Sequence, residues 1–231
     1  MSKLPTFTPI SLSLACHSKW PPPEYVIGPA QIGDLILLSG ADGLGKSWCA
    51  MTAGFAVAKG VSALGGMWNV PQVSGKVLYV AVEDRPRDHG ERLQKIAQQA
   101  QILNEVSLPS EDQEDDTITV WPLAGQRVPL ARPSKEPGNR YEFTNLATWF
   151  EKSIVGYHMV IIDPLRSFHD LDEVDGAGMD FLARGLVSMA MRNRQTIFAV
   201  HHASQGAILQ SRDDHHAGRG ATDFPAACRA V

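Results

Sequence analysis

The segment Gly40-Ala-Asp-Gly-Leu-Gly45-Lys46-Ser47 follows the pattern G-x-x-x-x-G-K-S/T in full. It stands between the apolar run Asp34-Leu-Ile-Leu-Leu-Ser-Gly40 and a helix expected from about Lys46 to Lys59. A short apolar run stopped by glycine reads as a strand buried on both faces. Glycines let the backbone curl so that successive N–H groups point inward, and the next helix adds its free N–H ends and positive dipole. Residues Gly40, Ala41, Asp42, Gly43, Leu44, Gly45, Lys46, Ser47 and Trp48 therefore form a candidate cradle for the phosphates of a nucleotide such as ATP. Lys46 brings a full charge near the β- and γ-phosphates, and the Ser47 hydroxyl can ligate Mg²⁺. A plain glycine turn can spell the same letters, but the flanking strand and helix are the context that a cradle requires.

The remainder of the chain alternates in the same way. Lys76–Val82 reads as a second buried strand, followed by a helix over about Arg87–Leu103 with Leu93, Ile96, Ala97 and Ala100 on one face. Residues 107–116 form an acidic, solvated loop, Ile118–Leu123 is a third strand, and 125–142 is a proline-bearing loop. A helix near Thr144–Ile154 leads to a strand at His158–Asp163; Phe181–Arg192 is helical and Thr196–His201 is again a strand. Strands alternating with helices predict an α/β fold, with a mainly parallel sheet covered by helices on both faces. The first residues differ: Pro5, Pro9 and the run Pro21–Pro23 exclude helix around them. We expect an extended arm over residues 1–32, packed on its own core or reaching a neighbouring subunit, and a single core domain over 33–231.

Composition narrows the class. The 231 residues carry a formal net charge of −4, which excludes a module that holds nucleic acid by bulk positive charge. The 3 cysteines, Cys16, Cys49 and Cys228, lack CxxC spacing, so neither a disulfide framework nor a zinc knuckle is indicated. No apolar run approaches the ~18 residues of a membrane span, and the first residues lack the order of a signal peptide. A cytoplasmic protein in a reducing compartment fits these features.

Two further sets of acids suit phosphate chemistry. Met159-Val-Ile-Ile-Asp163 anchors four apolar residues in the core and delivers a carboxylate at the strand's C-terminal end, where it can hold a water of the Mg²⁺ shell opposite Ser47. An aspartate there can instead cap a helix. Hydrolysis also needs a group that orients or deprotonates water. Pro164 follows Asp163, so no acid stands beside it; Glu83, ending the second strand, is the expected base, with Asp84 as a supporting or metal-shell group. The alternative is a pair of solvated loop charges before Arg85-Pro86.

The cradle, Glu83-Asp84, Asp163-Pro-Leu-Arg-Ser-Phe-His169, His201-His202-Ala-Ser-Gln-Gly206 and Gly218-Arg219-Gly220 occur in the order found in RecA-type P-loop ATPases. More narrowly, they resemble the plasmid RepA-type hexameric replicative DNA helicases, as does Pro21-Pro-Pro-Glu-Tyr25-Val26. That resemblance implies a RecA-like core with active sites between subunits of a hexameric ring. It implies Glu83 as catalytic glutamate and Asp163 as magnesium carboxylate. It also implies His201 or His202 as a γ-phosphate sensor on a strand beside the cradle strand, and Arg219 as an arginine finger entering the next subunit's site. Side chains alternate along a strand, so only one of the two histidines should face the phosphate.

Other readings remain beside these. Arg219 by itself reads as a solvated loop arginine, and the pairs His201-His202 and His215-His216 could suggest a metal cluster, although their spacing is not that of a zinc site. Arg166 reads as a structural or interface group, and Cys49 and Met51 as core. Gln205–Arg219, polar and without aromatic residues, is either an ordinary surface loop or a channel loop that touches the backbone of single-stranded DNA. RepA-type relatives continue with further strands beyond the finger, whereas this sequence stops soon after it at Val231, so we expect a C-terminally truncated form with an incomplete sheet. The function expected is an ATP-driven DNA motor. The alternatives are a RecA-like recombination or repair ATPase and a non-catalytic nucleotide-binding regulator.

Overall fold

The computed structural model describes residues 9–71, 75–103, 105–110 and 112–202, together with Phe224 and Cys228. In chain order the elements are α1 (Leu12–His17), β1 (Tyr25–Ile27), β2 (Ala30–Gln31), β3 (Leu35–Gly40), α2 (Lys46–Lys59), β4 (Val77–Ala81) and α3 (Pro86–Ile102). There follow β5 (Ile118–Pro122), β6 (Ala131–Pro133), β7 (Tyr141–Phe143), α4 (Asn145–Ser153), β8 (Met159–Asp163), α5 (Gly176–Asn193) and β9 (Thr196–His202). Among the described residues, five strands form the central sheet in the order β3-β9-β8-β4-β5, and every pairing between them is parallel. The carboxyl ends of all five therefore lie along one edge, the edge where open α/β sheets bind ligands.

Period-two alternation divides the sheet into two cores. Ile36, Tyr79, Ile161 and Phe198 face α2, where they pack with Ala50, Ala53 and Val57. Leu35, Leu37, Val80, Ile162 and Ala199 face the other way, onto Phe150 of α4 and Leu182, Leu186 and Met189 of α5. Helices thus cover both faces, as the alternating pattern predicts. Each fully buried large side chain, Phe150 and Phe198 among them, contributes about 1.5–3 kcal/mol relative to exposure. At Gly54, α2 approaches β8 so closely that a Cβ would meet the Ile161 Cδ1 atom at 2.8 Å and Val77 Cγ1 at 3.2 Å.

Several regions differ from the sequence reading. Within the proline-rich start, Ser11 caps the short helix α1, its hydroxyl accepting from Leu14 N at 3.1 Å, and no residue of that helix is buried. Residues 25–31 form a small antiparallel hairpin whose Val26, Ile27 and Ala30 are buried in the α2-side core. The proline-bearing loop contains β6 paired antiparallel with β7, too short to produce a periodic signal. Helix α5 starts five residues before the expected Phe181, because Gly176-Ala-Gly carries no apolar periodicity. The acidic loop is also less free than expected: Asp115 pairs with Lys59, and Asp116 with Lys76.

Candidate nucleotide site

The loop from Gly40 to Gly45 turns through left-handed backbone at Gly43 and Gly45, both at φ 78°. Side chains with a Cβ rarely adopt that conformation, so glycine is required at these two places. Gly45 is also the N-cap of α2 and supplies no side-chain cap. The first-turn amides are therefore left for another acceptor, the arrangement that suits an anion. Lys46 is buried and folds back over the loop, its Nζ donating to the carbonyl oxygens of Gly40 at 2.8 Å and Ala41 at 2.6 Å. The ammonium thus sits where the loop converges, 4.0 Å from the Asp42 carboxylate.

The strand register selects which polar side chains reach this side. In β4 the series Val77, Tyr79, Ala81 lies in the α2-side core, and in β8 the series Met159 and Ile161 does the same. Continuing the period brings Glu83 and Asp163 to the face shared with the cradle helix. Asp163 is buried at 5% exposure, accepts a hydrogen bond from the Tyr79 hydroxyl at one oxygen, and has no partner at the other. A buried carboxylate oxygen without a partner is costly, and a hydrated cation is a fitting occupant. Asp163 and Ser47 are therefore suitable holders for Mg²⁺.

Glu83 is more open, with 59% of its side chain exposed, and its Oε2 lies 3.8 Å from His202 Nε2. Its pKa is raised from the ordinary value mainly by partial burial, with the charges of Asp163, Asp84 and Asp42 adding to the rise and His202 opposing it. A carboxylate adjusted in this direction is a better proton acceptor. The two adjacent histidines separate as alternation requires. His202 faces the cradle, its Nδ1 paired with Asp42. His201 points through the opposite face, 3.7 Å from Glu173 Oε1, and its burial lowers its pKa. Asp84 turns away from the phosphate side and pairs with Arg92 of α3 at 2.8 Å. That arginine also lies over the Trp48 ring, 5.4 Å from its centroid, so Trp48 is tied to α3.

Tyr79, Arg92 and Glu173 are the site neighbours that motif reading passed over, and His169, which closes the quoted Asp163–His169 stretch, carried no role in it. The one available signal was Tyr79, a hydroxyl in an otherwise aliphatic strand. Arg166 is engaged with its own turn, its Nη1 donating to the His169 carbonyl at 3.3 Å, as a structural group would be. Met51 is fully buried and Cys49 half-buried on α2. The expected finger Arg219, the loop Gln205–Arg219, and His215 and His216 lie outside the described residues.

His169 provides a pH test of the packing behind β9. It is fully buried, and its Nε2 lies 3.8 Å from Glu173 Oε1. Burial first, and the nearby Arg166 charge second, lower its pKa from 6.5 to about 4. Above pH 6.5 both folded and unfolded chains hold it neutral and the full stability is present. As pH falls from 6.5 toward 4, only the unfolded chain takes up the proton, so stability is lost, by about 3 kcal/mol across the window. Urea midpoints measured from pH 7 to 4.5 should fall accordingly, and His169→Gln should flatten that decline. An unchanged slope in the variant would remove His169 from the account.

A parallel sheet in this order, with a glycine cradle opening the helix after its edge strand, defines a RecA-like P-loop fold. The sequence pattern of the AAA domain family matches residues 7–207, and the chain belongs to that family. Among solved structures, the ATPase domain of G40P is similar at a TM-score of 0.47 and 15% identity, over 84% of this chain and 66% of that one. A DnaB-like replicative helicase, solved in a study of its interactions with primase, is similar at a TM-score of 0.50 and 14% identity, over 85% of this chain and 47% of that one. The chain thus spans about two thirds of the length of one and about half of the other. At these identities the likeness is one of fold. No helix among the described residues is long and apolar enough to cross a membrane.

Proposed function

We propose that this chain is an ATPase that drives a DNA motor of the replicative-helicase type, more narrowly a RepA-like one. The observation that carries this reading is the convergence of Lys46, Glu83, Asp163 and His202 on the sheet edge beside α2. Main-chain N–H groups of residues 41–47 and the Lys46 ammonium hold the phosphates. Ser47 and Asp163 would hold Mg²⁺, which would supply charge neutralisation to the phosphates. Glu83 orients the attacking water and accepts its proton, while His202, placed between Glu83 and Asp42, links that carboxylate to the cradle and reads the γ-phosphate. Asp84, held by Arg92, acts as a support for the base loop. Arg219 completes the site from a neighbouring subunit, so activity belongs to an oligomer, a hexameric ring in this reading. Of the arm over residues 1–32, residues 25–31 pack on the chain's own core and the part before them reaches a neighbouring subunit, while 33–231 serves as the core, in the cytoplasm and without a membrane.

ATP turnover measured with and without single-stranded DNA, alongside native mass measurement with Mg²⁺ and an ATP analogue, tests the proposal. A hexamer whose turnover rises with DNA is expected. Tight binding without turnover in a persistent monomer would instead favour a nucleotide-binding regulator, and a filament on DNA would favour a recombination ATPase.

A further inference from the structure

We propose that Tyr79 is a positioning residue for the bound cation, joining the two residues assigned to hold it; the inference rests on the ATPase reading above. Tyr79 is completely buried in the middle of β4, on the face packed against α2. Its hydroxyl donates to the Asp163 carboxylate, 84 positions away in sequence, and stands 3.4 Å from the main-chain carbonyl oxygen of Ser47, 32 positions away. A buried phenol needs a partner for its proton, and here a single oxygen takes it while the other Asp163 oxygen has none. The carboxylate is thereby held in one orientation and offers one atom outward. The same phenol lies against the first turn of α2, so it also sets the distance between the Ser47 segment and Asp163.

Outer groups that orient a ligating carboxylate typically change metal affinity by roughly 10–100-fold when removed. Tyr79→Phe keeps the ring and removes the donor. Binding of a fluorescent ADP analogue to the full chain, titrated with Mg²⁺ and repeated in EDTA, reads the effect apart from turnover. The variant should bind the metal-free nucleotide as the wild type does, while the Mg²⁺ concentration for half-maximal tightening rises roughly 10-fold. In an Asp163→Ala background, Tyr79→Phe should change that metal response no further. Equal Mg²⁺ responses in variant and wild type, or equal losses with and without metal, would overturn the proposal.

A second measurement avoids any dependence on the variant's folding. With 3-fluorotyrosine at position 79, the ¹⁹F resonance should move when Mg²⁺ is added to the ADP complex, beyond any change caused by ADP alone. A resonance indifferent to Mg²⁺ would also overturn it. Wild-type chain that binds no nucleotide would remove the ATPase reading itself, whereas a metal-responsive wild type with an indifferent Tyr79 removes this inference alone.

Discussion

Lys46→Ala is expected to raise the dissociation constant for ATP by ~10²–10⁴, because hydrogen bonds from a charged donor are worth about 1.5–3 kcal/mol each and this ammonium can give two to phosphate. Its side chain is already held over the loop by the Gly40 and Ala41 carbonyl oxygens, so it meets the ligand pre-oriented and loses little further freedom on binding. The substitution also removes the cation that gathers those two carbonyls, and some loss of loop order accompanies the loss of affinity. Equilibrium titration with a fluorescent ATP analogue measures the effect. Affinity equal to that of the wild type would mean that the glycine turn is not a phosphate cradle.

Glu83→Gln should act on turnover and leave binding alone. The amide keeps the shape and the hydrogen-bonding reach of the side chain but cannot accept a proton from water. General-base contributions are typically 10²–10⁴-fold, and a fall of about that size in kcat is expected. Because Glu83 lies 3.8 Å from His202 and more than half of it is exposed, the exchange disturbs no buried contact, and the affinity for ATP should stay within about twofold. Single-turnover hydrolysis beside equilibrium binding separates the two quantities. Near-normal turnover would transfer the role of base to another residue.

Much of the fold was legible because it rests on local signals. The bounds of α2 follow from glycines on both sides: Gly45 and Gly60 each take the left-handed conformation that ends regular helix at Lys46 and Lys59. The strands β3, β4, β8 and β9 were legible as apolar runs, since their apolar residues are buried toward both faces, whereas β5 is only half-buried. No periodic signal announced α1, whose start depends on one serine cap amid prolines, nor β6 and β7, which are three residues each. The candidate site divides in the same way. Glu83 and Asp163 could be placed from strand ends alone, and alternation limited the histidines to one. Which histidine it is depends on the register of β9 against β3, where Ser39 stands beside His201 and Gly40 beside His202. The pairing of Asp84 with Arg92, and the meeting of His169 and His201 at Glu173, depend on packing that no spacing rule encodes.

The close seat of Gly54 against Ile161 bears on how such a molecule can do work. The helix that begins at the cradle and the strand that ends at Asp163 are pressed together with no slack between them, like two halves of one casting. Occupancy of the pocket cannot be relayed by sliding these pieces past each other. If the proposed hydrolysis drives a stroke, that stroke would leave through the strand tips and the connections that spring from them, with the Gly54 seat as the fixed jaw of the vice.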